Sequence, residues 1–322
     1  MRQMEKWLVG VDLGGTTIKI AFVTLDGHIV EKWEIPTNIN EDGKHIVMDI
    51  TDSIHSKLKE LSEPKEKLES IGMGAPGFID MKTGFIYHAV NIGWRDYPLK
   101  EELEKATGLS VIVDNDANIA AIGEMWRGAG DGEGNVLMVT LGTGVGGGII
   151  VNGHIMHGTN GMAGEIGHIT AIPEGGAPCN CGRTGCIETI ASATGISRIS
   201  KEKALQDTSS SLYALLQENG EIKAKDVVAA AEKDDKAAIE TLDEVTFHLG
   251  LVIANLANSI NPGKIVIGGG VSKAGHTLME RLEQKFKHFA LPRVAEGAEM
   301  KVATLGNDAG VIGGAWLAKH NR

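Results

Sequence analysis

Cysteine is scarce. The 322-residue chain has three, Cys179, Cys181 and Cys186, all within "APCNCGRTGCIE" (177–188). An odd number so closely spaced does not suit a disulfide framework. No Cys-x-x-Cys redox motif occurs, and Cys179 and Cys181 are too close for an easy mutual disulfide. Positive charge is also short. Lys and Arg number 31 against 42 Asp and Glu, the net charge is -11, and no basic block occurs. That balance argues against a nucleic-acid partner. An unbroken apolar run is missing too. Residues 136–164 carry no Asp, Glu, Lys or Arg, but glycines and polar residues interrupt them. Two strands with glycine turns fit this stretch better than a membrane span. "MRQMEKWLVGVD" runs straight into a strand-like segment with no signal peptide, so the expectation is a cytoplasmic protein without a membrane partner.

Glycine is what the chain has in excess: 43 residues, roughly twice the usual share. They cluster in "DLGGTT", "LGTGVGGG" and "VIGGGV", as loops of defined conformation require. The hydrophobic and charged fractions are those of an ordinary globular protein, and the length suits two domains of about 150 residues each.

Segment 7–35 reads as a β-meander with a hairpin turn at Asp26-Gly27. Ile46, Ile50, Ile54, Leu58 and Leu61 recur at helical spacing, predicting a helix over 45–61. "ESIGMGAPG" and "SVIVDND" read as buried strands, with a short helix near 98–106 between them. "ANIAAIGEMWRG" reads as a helix ended by Gly128. Further on, Asp226 is a plausible N-cap of "AKDVVAAAEK", and a long helix stops at Asn261-Pro262. "KIVIGGGV" and "MKVATLG" are strands, "HTLMERLEQKFKHF" is a helix, and "DAGVIGGAWLAKH" closes the chain as a helix of small residues.

The chain also repeats itself. "VDLGGTTIKI" (11–20) resembles "VTLGTGVGGGI" (139–149), and "DGHIV" (26–30) resembles "NGHIM" (152–156). Two strand–glycine turn–strand–hairpin units indicate duplicated halves. The bland alternative is that hairpins in general share Gly and β-branched residues.

A turn of successive backbone N–H groups makes an anion-binding hollow. "DLGGTT" and "LGTGVGGG" each join two strands, and neither has the P-loop pattern. Two such hairpins would clamp a polyphosphate. Asp12, at a strand end, would hold Mg²⁺ through water. Gly14, Gly15, Thr16, Thr17 and Lys19 in the first hairpin, and Gly142, Thr143, Gly144 and Gly146 in the second, are the phosphate-side candidates. Gly268, Gly269 and Gly270, in a third glycine turn, would line an adenosine pocket.

"VIVDNDAN" ends a buried strand with Asp114, Asn115, Asp116 and Asn118. Phosphoryl transfer to a hydroxyl needs a carboxylate that accepts the proton and aligns the attack. Asp116 is the candidate base and Asn115 a sugar-hydroxyl partner. Spacing alone leaves Asp114 as the alternative, and an N-cap role for this cluster stays open.

Cys-x-Cys-x₄-Cys supplies three soft metal ligands, and a tetrahedral structural zinc needs a fourth. His168, eleven residues before Cys179, is available, but the chain has 11 histidines, so spacing leaves that choice open. Reduced buried thiols are the alternative.

Together "DLGGTTIK", "GMGAPG", "NDAN", "LGTGVGGG", "GEIGH", "CNCGRTGCIE", "VIGGGV" and "NDAGVIGGAWLA" resemble the ROK family of sugar kinases (repressor, open reading frame, kinase) over nearly the whole chain. In detail these motifs are similar to those of Gram-positive bacterial glucokinases. The resemblance implies an α/β fold of the actin/hexokinase/Hsp70 type (ribonuclease H-like), with two domains and a duplicated mixed-sheet core. It implies a small domain at 1–116 joined by a closing helix at 307–322. Residues 117–306 would form a larger domain with the zinc site and a dimerisation surface. It implies ATP with Mg²⁺, structural Zn²⁺ and a homodimer. The implied activity is phosphorylation of D-glucose at the 6-hydroxyl, feeding glycolysis. Carried onto this chain, it makes Asp116 the base. It places Gly77, Asn115, Glu165, His168 and Glu188 around the sugar, and selects His168 with Cys179, Cys181 and Cys186 for the metal. Another hexose (N-acetylmannosamine, mannose or fructose) remains open, since few contacts separate such substrates. A sugar-sensing regulator without catalysis is the remaining alternative. Family repressors place a helix-turn-helix domain before the kinase-like part, whereas here the first kinase strand starts by Trp7.

Overall fold

The computed structural model describes residues 5–320. The chain forms two compact units. One runs to Glu133 and adds Ile155–Ala163 and the chain from Thr304 onward; the other holds Gly134–His154 and Gly164–Ala303.

The first unit opens with the antiparallel meander β1 (Trp7–Leu13), β2 (Thr17–Thr24) and β3 (Ile29–Pro36). After the single turn α1 (Asn40–Gly43) and helix α2 (Ile46–Glu60), β4 (Leu68–Ala75) lies parallel to β1. Strands β5 (Phe78–Asp80), β6 (Phe85–Ala89) and β7 (Trp94–Tyr97) make a small separate sheet. Then come α3 (Leu99–Thr107), β8 (Ser110–Asn115) and α4 (Asp116–Arg127). The sheet order is β3-β2-β1-β4-β8.

The second unit repeats the plan. Strands β9 (Val136–Leu141) and β10 (Val145–Val151) are antiparallel, and β11 (His154–Ile155) follows. Helices α5 (Glu188–Ala191), α6 (Ala193–Gln206), α7 (Ser211–Asn219), α8 (Ala224–Ala231) and α9 (Lys236–Ile260) precede β12 (Lys264–Gly268). Helices α10 (His276–Phe289) and α11 (Pro292–Gly297) lead to β13 (Glu299–Val302). The order β11-β10-β9-β12-β13 matches the first sheet strand for strand, with the same parallel and antiparallel senses. The duplication read from the glycine hairpins is therefore a duplication of whole sheets. The second copy is tighter because β10 is one residue shorter than β2 and its hairpin turns on two residues, Asn152 and Gly153, both at positive φ.

Closing helix α12 (Ala309–His320) returns to the first unit. Strand β1 is buried on both faces. Val9, Val11 and Leu13 join Ile46, Ile50, Ile54 and Leu58 of α2, while Leu8 meets Val311, Ala315 and Ala318 of α12. Full burial of each such aliphatic side chain contributes about 1.5–3 kcal/mol. The small residues of α12 let backbones touch. A Cβ at Gly10 would collide with the Val311 carbonyl, and one at Gly72 with that of Gly314. Helix α4 packs on α12, so it stays with the first unit, and the expected break after residue 116 falls inside that unit. The α8 helix corrects another expectation. Asp226 sits at its third position, and its carboxylate accepts the Lys223 N–H at 2.9 Å rather than capping as the first residue. Helix α9 stops as expected, with Asn261 left-handed (φ 48) ahead of Pro262. Among the described residues, no helix is long and apolar enough to cross a membrane.

Candidate active site and metal centre

Strand β8 delivers the polar cluster to the start of α4, and the cluster divides its roles. Asn115 is the N-cap, its Oδ1 accepting the N–H of Ala117 at 2.9 Å and of Asn118 at 3.4 Å. Asp114 is buried and its oxygens are occupied. Oδ1 accepts the Asn115 N–H at 2.7 Å and Asn118 Nδ2 at 2.8 Å, and Oδ2 lies 2.7 Å from His157 Nε2. Asp116 is exposed on the first turn, with Oδ1 accepting the Ala117 N–H at 2.8 Å. Of the two carboxylates weighed from spacing, Asp116 is the one open to solvent. The Asp114 hydrogen bond raises the His157 pKa above its ordinary value, against the effect of burial. His157 went unnoticed in the sequence because no spacing marks it among the histidines. Gly77, exposed at positive φ just after β4, sits where a Cβ would strike the His88 carbonyl.

The four candidate metal ligands assemble in the second unit. Glu165 precedes a single 3₁₀ turn, Ile166–His168, and is exposed. His168 Nδ1 lies 3.6 Å from Cys179 Sγ, and Cys181 Sγ lies 3.6 Å from Cys186 Sγ. All four ligand atoms fall within 4.8 Å of one another. A tetrahedral ion about 2.3 Å from sulfur and about 2.0 Å from nitrogen sets its ligands about 3.5–3.8 Å apart. The two 3.6 Å pairs match that spacing, and the four atoms are close enough together to be drawn onto one ion. A sulfur pair at 3.6 Å is no disulfide, whose bond is about 2.05 Å. Backbone and side-chain hydrogen bonds from Arg183 bring Cys181 down to about 6, while burial pushes Cys186 up to about 12. A cation bound among them would hold both as thiolates. Glu188 adjoins the cage: its Oε1 is 3.8 Å from Cys179 Sγ, and its Oε2 accepts the Val145 N–H at 3.0 Å.

The glycine hairpins differ from their simplest reading. The Gly14 N–H donates to Thr17 O at 3.1 Å and the Gly142 N–H to Gly144 O at 2.9 Å, so these two amides close their own turns. Gly15 and Thr16 lie in the first turn and Thr143 in the second, while Thr17 and Gly146 are strand residues. Lys19 pairs directly across from Asp12, with Nζ 3.3 Å from its carboxylate.

A cavity of about 1000 Å³ opens in the second unit, with Gly142, Thr143 and Gly270 on its walls. Gly268 is buried in β12, and Gly269 turns the chain there at positive φ. Five cations that sequence reasoning missed, Arg198, Lys201, Lys223, Lys225 and Lys273, also line the cavity. They come from three separated stretches, 198–201, 223–225 and 273, so no single local run marks them.

The sequence profile of the ROK family matches residues 8–321. The chain belongs to the ROK family. A glucokinase of Halalkalibacterium halodurans is 62% identical over 315 residues, covering 98% of this chain and 96% of that protein. Among solved structures, a ROK hexokinase from Thermus thermophilus superposes with a TM-score of 0.82 at 31% identity, covering 97% of each chain. A ROK family glucokinase from Streptomyces griseus, solved with glucose and AMPPNP, gives a TM-score of 0.73 at 34% identity, covering 97% of this chain and 99% of that one. The duplicated mixed sheets are thus the ROK arrangement, an α/β fold resembling the actin/hexokinase/Hsp70 superfamily.

Proposed function

We propose that this ROK protein is an ATP-dependent glucokinase. It transfers the γ-phosphoryl group of ATP to the 6-hydroxyl of D-glucose. The observation that carries this reading is the Asp114-Asn115-Asp116 turn, with one carboxylate enclosed and one exposed, in a chain 62% identical to a glucokinase. Asp116 accepts the proton as the 6-oxygen bonds to phosphorus and the bridging oxygen leaves with ADP. Asn115, Gly77, Glu165, His168 and Glu188 are the sugar contacts. The two glycine turns and the cationic cavity hold the nucleotide, and Asp12 would hold Mg²⁺, which would neutralise phosphate charge.

The four-ligand cage suits structural Zn²⁺ by its donor set, Cys₃His. His168 uses Nδ1 toward the cage, which would leave Nε2 with a fixed tautomer for a sugar hydroxyl. A bound ion would brace the pocket wall beside Glu188, and no step of the transfer requires it. The reading includes a cytoplasmic homodimer. A coupled ADP-release assay over a panel of hexoses tests it, with Asp116→Asn as control. Glucose should give the highest kcat/KM; absence of sugar-stimulated turnover would refute the kinase, and a better substrate would rename it.

A further inference from the structure

Residues Ile155–Ala163 belong to the first unit although the chain on both sides belongs to the second. The segment is a tight loop: the Ala163 N–H donates to His157 O at 3.0 Å, and Gly158 and Gly161 turn it at positive φ. Its imidazole reaches a carboxylate 43 positions earlier, at 2.7 Å. That carboxylate, Asp114, is 2% exposed, and an enclosed charge needs its full set of donors. Its other oxygen holds the Asn115 N–H and the Asn118 side chain. Asn115 in turn caps the helix on which Asp116 is the first residue.

We propose that His157 is a positioning residue for phosphoryl transfer, holding Asp114 so that the Asn115–Asn118 turn presents Asp116 in one orientation. The proposal rests on the kinase reading for what Asp116 does, but the clasp itself does not. His157 touches no reacting atom in this scheme and acts through Asp114 alone. A donor N–H at the Nε2 position is what the clasp requires, since Asp114 Oδ2 is an acceptor. Loosening the clasp therefore affects the base before it affects the nucleotide.

The test compares His157→Phe, which removes the donor, with His157→Gln, whose amide can restore it. In the full-length protein, His157→Phe should lower kcat about 10-fold or more while the KM for ATP changes less than about twofold, and His157→Gln should recover most of the loss. Hydrogen exchange supplies a readout independent of activity: amides 115–118 should exchange about 10-fold faster in His157→Phe and near the wild-type rate in His157→Gln. A kcat for His157→Phe within about twofold of wild type would overturn the proposal, and so would equal loss in both variants. Unchanged exchange at 115–118 would overturn it as well. If the wild type releases no ADP with any sugar, the kinase reading fails while exchange still decides the clasp.

Discussion

Glu188 joins two sites in one side chain. One oxygen accepts the Val145 N–H at 3.0 Å, at the end of the second glycine turn, and the other lies 3.8 Å from Cys179 in the His/Cys cluster. Gly144 makes this possible, because a Cβ there would collide with the carboxylate. Glu188→Ala should therefore raise the KM for ATP as well as for sugar, each about 10-fold, in steady-state kinetics with both substrates varied. A rise confined to sugar would mean that the Val145 hydrogen bond contributes nothing to the nucleotide side.

Loss of the metal should act on the sugar before the chemistry. Cys181 is the exposed ligand of the cage, so Cys181→Ala removes one donor with little loss of packing. Metal analysis of freshly purified protein should give one zinc per chain in the wild type and much less in the variant. The KM for sugar should rise by about 10-fold or more, with a smaller fall in kcat, as expected when a positioned wall loosens. Wild-type protein that is active yet free of zinc would refute the structural metal.

What the sequence made legible was local. The two hairpins could be matched by eye because a buried strand, a glycine turn and a second strand follow within about 14 residues of each other. The cysteines declare themselves by spacing, whereas spacing leaves the fourth candidate ligand open among the histidines and only the family resemblance selects His168 in "GEIGH". Asp226 was misplaced by three positions because an aspartate serves equally at an N-cap and at the third residue, accepting a different N–H in each. Nothing in the sequence near residue 116 records that α4 packs on α12, which lies at the far end of the chain. The His157–Asp114 pair and the five cations of the cavity share this cause. Topology brings them together from distant segments, and no periodicity in the sequence records that.

The His157–Asp114 pair should leave a signature in stability against pH. The hydrogen bond raises the folded-state pKa of His157, so the folded protein binds the proton more tightly than the unfolded chain. The resulting stabilisation is fully present below the unfolded value of about 6.5 and is lost as pH rises through the higher folded value. Thermal melts of wild type and His157→Gln should thus differ most near pH 6 and converge once the pH exceeds the raised folded-state value. A difference that grows with pH would reverse the sign and exclude a protonated His157 as the stabilising form.

The two aspartates flanking Asn115 should fail in opposite ways when each is changed to asparagine. Asp116 is exposed and its carboxylate is held by its neighbour's backbone N–H, so Asp116→Asn keeps the shape and the helix start. It removes the proton acceptor, and kcat should fall about 10²–10⁴-fold while sugar binding, read by calorimetry, persists. Asp114 is enclosed by three donors on two oxygens. An amide there keeps one acceptor oxygen but loses the charge-assisted bond to the part-exposed His157, which costs about 1–3 kcal/mol. Asp114→Asn should therefore lower the melting temperature clearly, with turnover lost in proportion to the disturbed turn. If Asp116→Asn kept turnover while Asp114→Asn abolished it without lowering the melting temperature, the base would be Asp114.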